Sequence, residues 1–340
     1  MRQPLLFLVF VIITSHALRA QFPVAPDVVY DFIKSNSIHR NKVDWGEIDN
    51  QFFRSLSAAR TLKDTMNSFT GVLKALDDVH SQIYFNNQYY GYWHTNDGPD
   101  ANRLSKLVDL ARENTGKVEC AVLEDQFAYL RVPAMNAYGP DEIRHYATIL
   151  HDTIEHMGQL KVKGFIIDLR LNTGGNMYPM LSGLGSLIGD GDIAYEVEMD
   201  YYVARAWKIE NGNFVINDFP VTNFEGTAMK GLDEIPVALL IGPVTASSGS
   251  NVAIAFKGRP HTIFIGEPTA DGYTTSNGYF QFAPNLFMNF AVAYVADRNL
   301  NLYPSLVEPD VVVKEGDDFE KLLEDQKIKR ALLWLQGCTK

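Results

Sequence analysis

Three short stretches of this chain carry side chains able to act on a polar bond. Ser247 lies in Thr245-Ala246-Ser247-Ser248-Gly249-Ser250, just after the apolar run Val237 to Ile241. That pattern places a hydroxyl where a strand gives way to a helix N-terminus. Unpaired amides and the helix dipole there ease negative charge on an attacking oxygen. The everyday use of such a serine is to cap the helix. Gly174 and Gly175 end a second apolar run, Ile166-Ile167-Asp168-Leu169-Arg170-Leu171-Asn172-Thr173. Glycines let backbone N–H groups come close to a ligand, as an oxyanion site requires, and equally serve a plain tight turn. Neither a GxGxxG pattern nor a Walker lysine accompanies them, which excludes dinucleotide and P-loop readings. The third stretch is Leu76-Asp77-Asp78-Val79-His80-Ser81. An imidazole flanked by acids and a hydroxyl suits a general base held by a neighbour; a surface or capping histidine is the local alternative. Catalytic groups assemble in space and in any chain order, so the distance from His80 to Ser247 is no objection.

The elements that must position these residues follow from periodicity. Asp27 to Leu76 reads as helical, its best stretch setting Leu62, Met66, Phe69, Val72, Leu73 and Leu76 on one apolar face. Gln82 to Phe85 is strand-like, and 86–103, rich in Asn, Tyr, Gly and Trp, reads as a loop; 86–125 as a whole connects an N-terminal helical subdomain (21–85) to the rest. From Gln126 to the end the texture is α/β. Strands are predicted at 127–132, 163–169, 236–242, 262–265, 278–282 and 289–295, with a hairpin turning at Asn211-Gly212. Helices are predicted over 141–159, from Met177 to Ile188, over 251–256 and over 319–335. This alternation gives an α/β fold with a layered core.

Bulk properties narrow the function classes. The formal charge of −11, without any Lys/Arg stripe, argues against nucleic acid and anionic membranes as partners. Residues 1–20 have the order of an export signal: Arg2, the apolar Leu5 to Ile13, then Ser15-His16-Ala17 or Leu18-Arg19-Ala20 as a small-residue cleavage site. The apolar run is too short to span a bilayer, and no later run is long enough for an integral membrane span. Two cysteines, Cys120 and Cys338, sit in no metal-binding context. Cys120 reads as a small core residue of an apolar strand, and a disulfide between the two is chemically allowed in an oxidising compartment.

Taken together and in order, the three stretches resemble the serine peptidase family of tail-specific and C-terminal processing proteases, tricorn's catalytic domain and the retinoid-binding interphotoreceptor repeats. Ile166 to Gly175 is similar to that family's I-D-L-R-x-N-x-G-G strand and turn. Val244 to Ser250 and Phe264-Ile265-Gly266-Glu267-Pro268-Thr269 resemble its T-A-S-x-S-E and x-x-G-E-P-T blocks, Leu76 to Ser81 its D-x-H-S block, and Glu308-Pro309-Asp310 its closing E-P-D. The likeness covers roughly residues 60–315. It implies a ClpP/crotonase-like core with Ser247 as nucleophile, His80 as general base, and amides of Gly174, Gly175 and Ser248 as the oxyanion hole. Glu308 corresponds either to the late Glu that supports the base or simply to the Glu-Pro-Asp turn. The dyad lysine of the processing branch falls on Gly272, 25 residues after Ser247, so the His-based branch is implied; with only about 45 residues between His80 and Gln126, the family's usual PDZ domain is expected to be missing. Ser250 stands where the family has Glu.

The function implied is that of a periplasmic or secreted tail-specific serine protease acting on peptides or unfolded proteins, with no metal or organic cofactor. A catalytically inactive relative that binds peptides or a hydrophobic ligand is the alternative, ahead of a crotonase-type acyl-CoA enzyme. The leader generates a first prediction: intact mass of protein recovered from its native compartment shows loss of the first 17–20 residues, and a species retaining Met1 contradicts it.

Overall fold

The computed structural model describes residues 22–94, 99–199, 202–224 and 231–338; the expected leader lies outside them. In chain order the elements begin with α1 (Pro26–Asn36), α2 (Trp45–Ala58), α3 (Leu62–Ala75), β1 (Gln82–Phe85), β2 (Gln88–Gly91), α4 (Ala101–Glu113), β3 (Glu119–Leu123) and β4 (Phe127–Arg131). They continue with α5 (Pro140–Gln159), β5 (Gly164–Asp168), α6 (Met177–Gly183), α7 (Gly185–Ile188), β6 (Gly191–Val197), β7 (Val203–Glu210), β8 (Asn213–Ile216) and β9 (Phe219–Pro220). The last are β10 (Val237–Ile241), α8 (Ser248–Phe256), β11 (Thr262–Gly266), β12 (Ser276–Ala283), β13 (Leu286–Asp297), β14 (Val311–Val312) and α9 (Gln326–Cys338). Two compact units share them: residues up to 95 with 276–293, and 96–275 with 294–340.

In the first unit, α1 to α3 pack on one face of an antiparallel sheet ordered β2-β1-β13-β12. Ile83, Phe85, Leu286, Met288 and Phe290 point into the helices, where Tyr30 stacks on Phe52 at 4.1 Å. Helix α3 starts with a capping box between Thr61 and Asp64. It ends in a Schellman turn: Asp77, with φ +52°, holds the left-handed position usually given to glycine, and its N–H bonds the Lys74 carbonyl while that of Asp78 bonds Leu73.

The second unit is built on a six-stranded sheet ordered β14-β11-β10-β5-β4-β3, parallel except for the edge strand β3. Strand β10 is buried along its whole length because both faces of the sheet are covered. Val237, Leu239 and Ile241 join the core beneath α5, α6 and α8, whereas Ala238 and Leu240 face Ile328, Ala331, Leu332 and Leu335 of α9. An antiparallel meander β6-β7-β8-β9, with Tyr294–Asp297 of β13 paired on β6, completes the unit. Fold class and layering match the α/β reading.

Several local expectations do not hold. The stretch expected to be a connecting loop contains the hairpin strand β2, helix α4 and strand β3. Leu104, Leu107, Val108 and Ala111 give α4 an apolar face against Leu171 and Val244. Helix α9 starts at Gln326, not at 319, because Asp325 accepts the Ile328 N–H and caps it there. Cys120 is exposed on the edge strand β3, not in the core, and Cys120 and Cys338 are both free thiols.

A buried charge network ties α4 and α9 to the ends of the parallel strands. Arg170 makes a bidentate contact with Asp168 (Nε–Oδ1 3.0 Å, Nη2–Oδ2 2.7 Å) and also reaches Asp325 at 2.8 Å. Lys327 bonds Glu267 and Asp317, which Arg103 holds from α4. Partners hold Asp168, Asp317 and Glu267 below the usual carboxylate range although burial opposes it. Removing one member leaves uncompensated charge in the interior, so Arg170→Met is expected to lower the unfolding free energy by about 3–5 kcal/mol in urea titrations. A loss under about 1 kcal/mol would show the network to be dispensable.

Candidate active site

Strand β10 ends at Ile241, and the chain then turns through Gly242 and Pro243 before α8. Thr245 pins that turn: its Oγ1 accepts the Gly242 N–H at 3.0 Å and donates to the Leu169 carbonyl at 2.8 Å, beyond the end of β5. Ala246 N–H then bonds the Asn172 carbonyl (3.0 Å), and Ser247 N–H the Tyr273 carbonyl (3.0 Å). Ser247 occupies the N-cap position of α8 with φ +53° and ψ −123°, a sparsely populated conformation for a residue with a side chain. Its hydroxyl makes no cap hydrogen bond. The ordinary helix-cap explanation of this serine is thereby removed.

Gly174 packs directly against Ser247. A Cβ on Gly174, whose φ is +111°, would lie 2.6 Å from Ser247 Cβ and 3.2 Å from its Oγ. Gly249 is just as constrained, since a Cβ there would meet the Asn172 carbonyl at 2.4 Å. Asn172, fully buried, thus organises both stretches: its carbonyl holds Ala246 and its Oδ1 accepts the Gly174 N–H at 3.0 Å. The two glycines therefore differ. The Gly174 amide is engaged by Asn172, whereas the amides of Gly175 and Ser248 donate to no acceptor among the described residues. The Ser248 hydroxyl donates to the Gly175 carbonyl at 2.7 Å and ties those two amide-bearing residues together. Ser250, in place of the family's Glu, is buried with its hydroxyl on the Thr245 carbonyl at 3.4 Å.

Glu308 does not join this group. It is exposed, and its carbonyl accepts from Lys257 Nζ at 3.1 Å, past the C-terminal end of the helix that Ser247 begins. Two residues on, Asp310 Oδ2 accepts the Phe264 N–H and ties the Glu-Pro-Asp segment to β11.

His80 belongs to the first unit. After the Schellman turn, Asp78 Oδ1 accepts the N–H groups of His80 (3.2 Å) and Ser81 (2.9 Å), and Oδ2 accepts the Ser81 hydroxyl. The Ser81 oxygen also accepts the Ala291 N–H, and Asn277 Nδ2 donates to the His80 carbonyl. The neighbouring carboxylate thus fixes the backbone that carries His80. His80 is 5% exposed, and burial, with the His39 imidazole adding to it, pushes its pKa down to about 4. It is neutral at physiological pH.

Asn172 and Thr245 carry much of this geometry, yet the sequence marks them only as members of motifs. Their roles are hydrogen bonds between distant segments, and the available signal was that each precedes a Gly- or Ser-rich turn after a buried strand.

The profile of peptidase family S41 matches residues 126–313. A nisin-resistance protein of Lactococcus lactis subsp. lactis is 28% identical over 197 residues, which is 56% of this chain and 58% of that protein, so the chain spans under two thirds of that relative. A lipoprotein structure from Streptococcus agalactiae has a TM-score of 0.69 at 20% identity, covering 92% of this chain and 95% of the other. A photosystem II D1 C-terminal processing protease gives 0.53 at 13% identity, covering 85% and 92%. The last two likenesses establish the fold, the ClpP/crotonase-like α/β core.

The packing of Gly174 on Ser247 generates a prediction. Gly174→Ala forces a methyl into the Ser247 side chain at a positive φ, and is expected to destabilise the protein by more than about 1 kcal/mol in thermal or urea unfolding. An unchanged midpoint would contradict the close approach.

Proposed function

The chain belongs to peptidase family S41, and from that premise we propose that it is an exported serine peptidase hydrolysing peptide bonds through an acyl-enzyme on Ser247. The observation that carries this reading is Ser247 itself: a strained backbone, a hydroxyl not spent on capping, and two uncommitted amides at Gly175 and Ser248. In the proposed step His80 takes the Ser247 proton, Oγ attacks the scissile carbonyl, and the Gly175 and Ser248 N–H groups receive the developing oxyanion. The leaving amine takes the proton back from His80, and water releases the acyl group by the same route. Peptides and unfolded segments are the proposed substrates, and export rests on the order of the first 20 residues. No helix among the described residues is long and apolar enough to cross a membrane.

The depressed basicity of His80 moves the expected pH profile. An unperturbed imidazole would lose activity below roughly pH 6–7. With its pKa lowered to about 4, His80 stays neutral and competent well below that, so kcat/KM is expected to fall only as pH drops through about 4. Linkage runs the same way. The unfolded chain binds a proton at this histidine below about pH 6.5 while the folded one does not, so this group's contribution to stability declines as pH falls from 6.5 towards 4.

A fluorophosphonate probe followed by peptide mapping tests the nucleophile; an adduct on Ser247 that Ser247→Ala abolishes is the expected result. His80→Ala is expected to lower kcat by several orders of magnitude, comparably to Ser247→Ala, because members of one catalytic unit do not act additively. Full peptidase activity in His80→Ala defeats the assignment of the base. Absence of any adduct in folded protein moves the protein to the non-catalytic, ligand-binding reading.

A further inference from the structure

Helix α4 is lightly held, yet it reaches each of the segments that fix Ser247. Of its side chains only Leu107 and Ala111 are buried, and with Leu171 and Val244 they form a small apolar cluster apart from the main core. Leu171 precedes Asn172, whose carbonyl accepts the Ala246 N–H and whose Oδ1 accepts that of Gly174. Val244 precedes Thr245, the residue that pins the turn to Leu169. Just past the helix, Gly116 N–H bonds the Ala134 carbonyl at 2.8 Å, next to Met135, which bonds Gly174 and Asn176. Near the start of the helix, Arg103 grips both carboxylate oxygens of Glu267 (Nη1–Oε1 2.9 Å) and reaches Asp317 at 2.7 Å.

Glu267 opens the loop that follows β11. In that loop Ala270 N–H bonds the Thr245 carbonyl at 2.9 Å, and the Tyr273 carbonyl accepts the Ser247 N–H at 3.0 Å. A guanidinium on Glu267 therefore bears on the loop whose bond helps keep Ser247 at φ +53°. Lys327, fully buried, bonds both Glu267 (3.0 Å) and Asp317 (2.7 Å), so the two carboxylates keep a cationic partner when Arg103 is absent. The interior charge balance does not need Arg103. What Arg103 adds is the link to α4, made by a side chain still 31% exposed. An element with so little buried apolar surface opens locally with ease unless such a link holds it.

We propose that Arg103 is a positioning residue: by seating α4 against Leu171, Val244 and Glu267, it holds the three turns that keep Ser247 in its strained conformation. What the inference says of reactivity rests on the reading of Ser247 as nucleophile. Arg103 acts through these contacts and not on the substrate. With the helix unseated, the Asn172, Thr245 and Tyr273 contacts loosen together and Ser247 relaxes out of its sparsely populated backbone conformation. Its hydroxyl then leaves the place set by Gly174 and the two uncommitted amides. A misplacement of about 1 Å at a reacting group costs on the order of 100-fold in rate.

Hydrogen exchange read by mass spectrometry tests this in the full chain, comparing the parent with Arg103→Met, Arg103→Lys and, as control, Arg112→Met. Arg112 lies on the same helix, 75% exposed and paired with Asp109. In Arg103→Met, exchange is expected to rise about tenfold or more in peptides covering 101–113, 242–250 and 267–275, with β5 and β10 at the parent rate. Arg103→Lys, which keeps the charge but not the fork, is expected to lie between, and Arg112→Met to match the parent. The rate at which a fluorophosphonate labels Ser247 is expected to fall about tenfold in Arg103→Met and to recover in part in Arg103→Lys. Parent-rate exchange in 242–250 and 267–275, whether or not α4 loosens, overturns the proposal. So does a rise that extends equally through β5 and β10, the sign of a general loss of stability, or labelling undiminished where exchange has risen. Should Arg103→Met fail to fold, Arg103→Lys decides by the same comparison. If exchange responds as expected but no form of the protein is labelled, the positioning stands and the nucleophile reading alone fails.

Discussion

The arrangement around Ser247 depends on holding one residue with a side chain at φ +53°. Left alone, such a backbone relaxes, since the strain is on the order of 1–3 kcal/mol. It persists because neighbours over-determine it: Ala246 and Ser247 each donate to a carbonyl of another segment, the Ser247 carbonyl accepts the Asn251 N–H, and Thr245 anchors the turn to Leu169. The conformation prevents the hydroxyl from capping α8 and leaves the first amide of that helix unspent. Strain, a hydroxyl that does not cap the helix and an uncommitted first amide are thus one feature seen from three sides.

That local arrangement requires a rigid base. Strands β5 and β10 lie side by side, with Asp168 opposite Leu240, and each is covered on both faces. Their ends are therefore fixed to within a hydrogen bond, and the turns that follow start from known positions. The charge network adds a second constraint at the same ends. Arg170 lies two residues before Asn172, and Glu267 begins the loop that leads to Tyr273. Through Asp317, Asp325 and Lys327 the C-terminal segment grips both. Buried ion pairs are weak sources of net stability, but they penalise any other register heavily, because a displaced partner leaves a bare charge in the interior. Positioning is the better account of this network.

Much of this was legible in the sequence where a local signal exists. Strands buried on both faces appear as unbroken apolar runs, and β5 and β10 fall within a residue of where Lys163 to Leu169 and Pro236 to Gly242 place them. What escaped is tertiary. Strand β2 is written in Gln, Tyr and Gly, which read as loop, and becomes a strand by pairing with β1. The apolar stripe of α4 was present at Leu104, Leu107, Val108 and Ala111 but lay in a stretch given over to connection. Nothing in the composition of 276–293 says that it folds with the N-terminal helices; only its pairing with β1 does. The low basicity of His80 is likewise a property of its surroundings.

The Gly174-Gly175 pair shows how much a motif leaves unsaid. Pattern alone makes the two glycines equivalent, since both tolerate positive φ and both expose an amide. The structure divides the labour. Gly174 is required for space, because Ser247 sits where its side chain would be, and its amide is consumed in bonding Asn172. Gly175 is required because its Cα lies against the Met135 carbonyl, where a Cβ would come within 2.3 Å, and its own amide stays uncommitted. An oxyanion site needs one donor from this turn, not two. In the proposed mechanism the first glycine gives Ser247 its space and the second supplies the donor, so substitutions there are expected to act on different steps: at Gly174 on where Ser247 stands, at Gly175 on how a developing charge would be held.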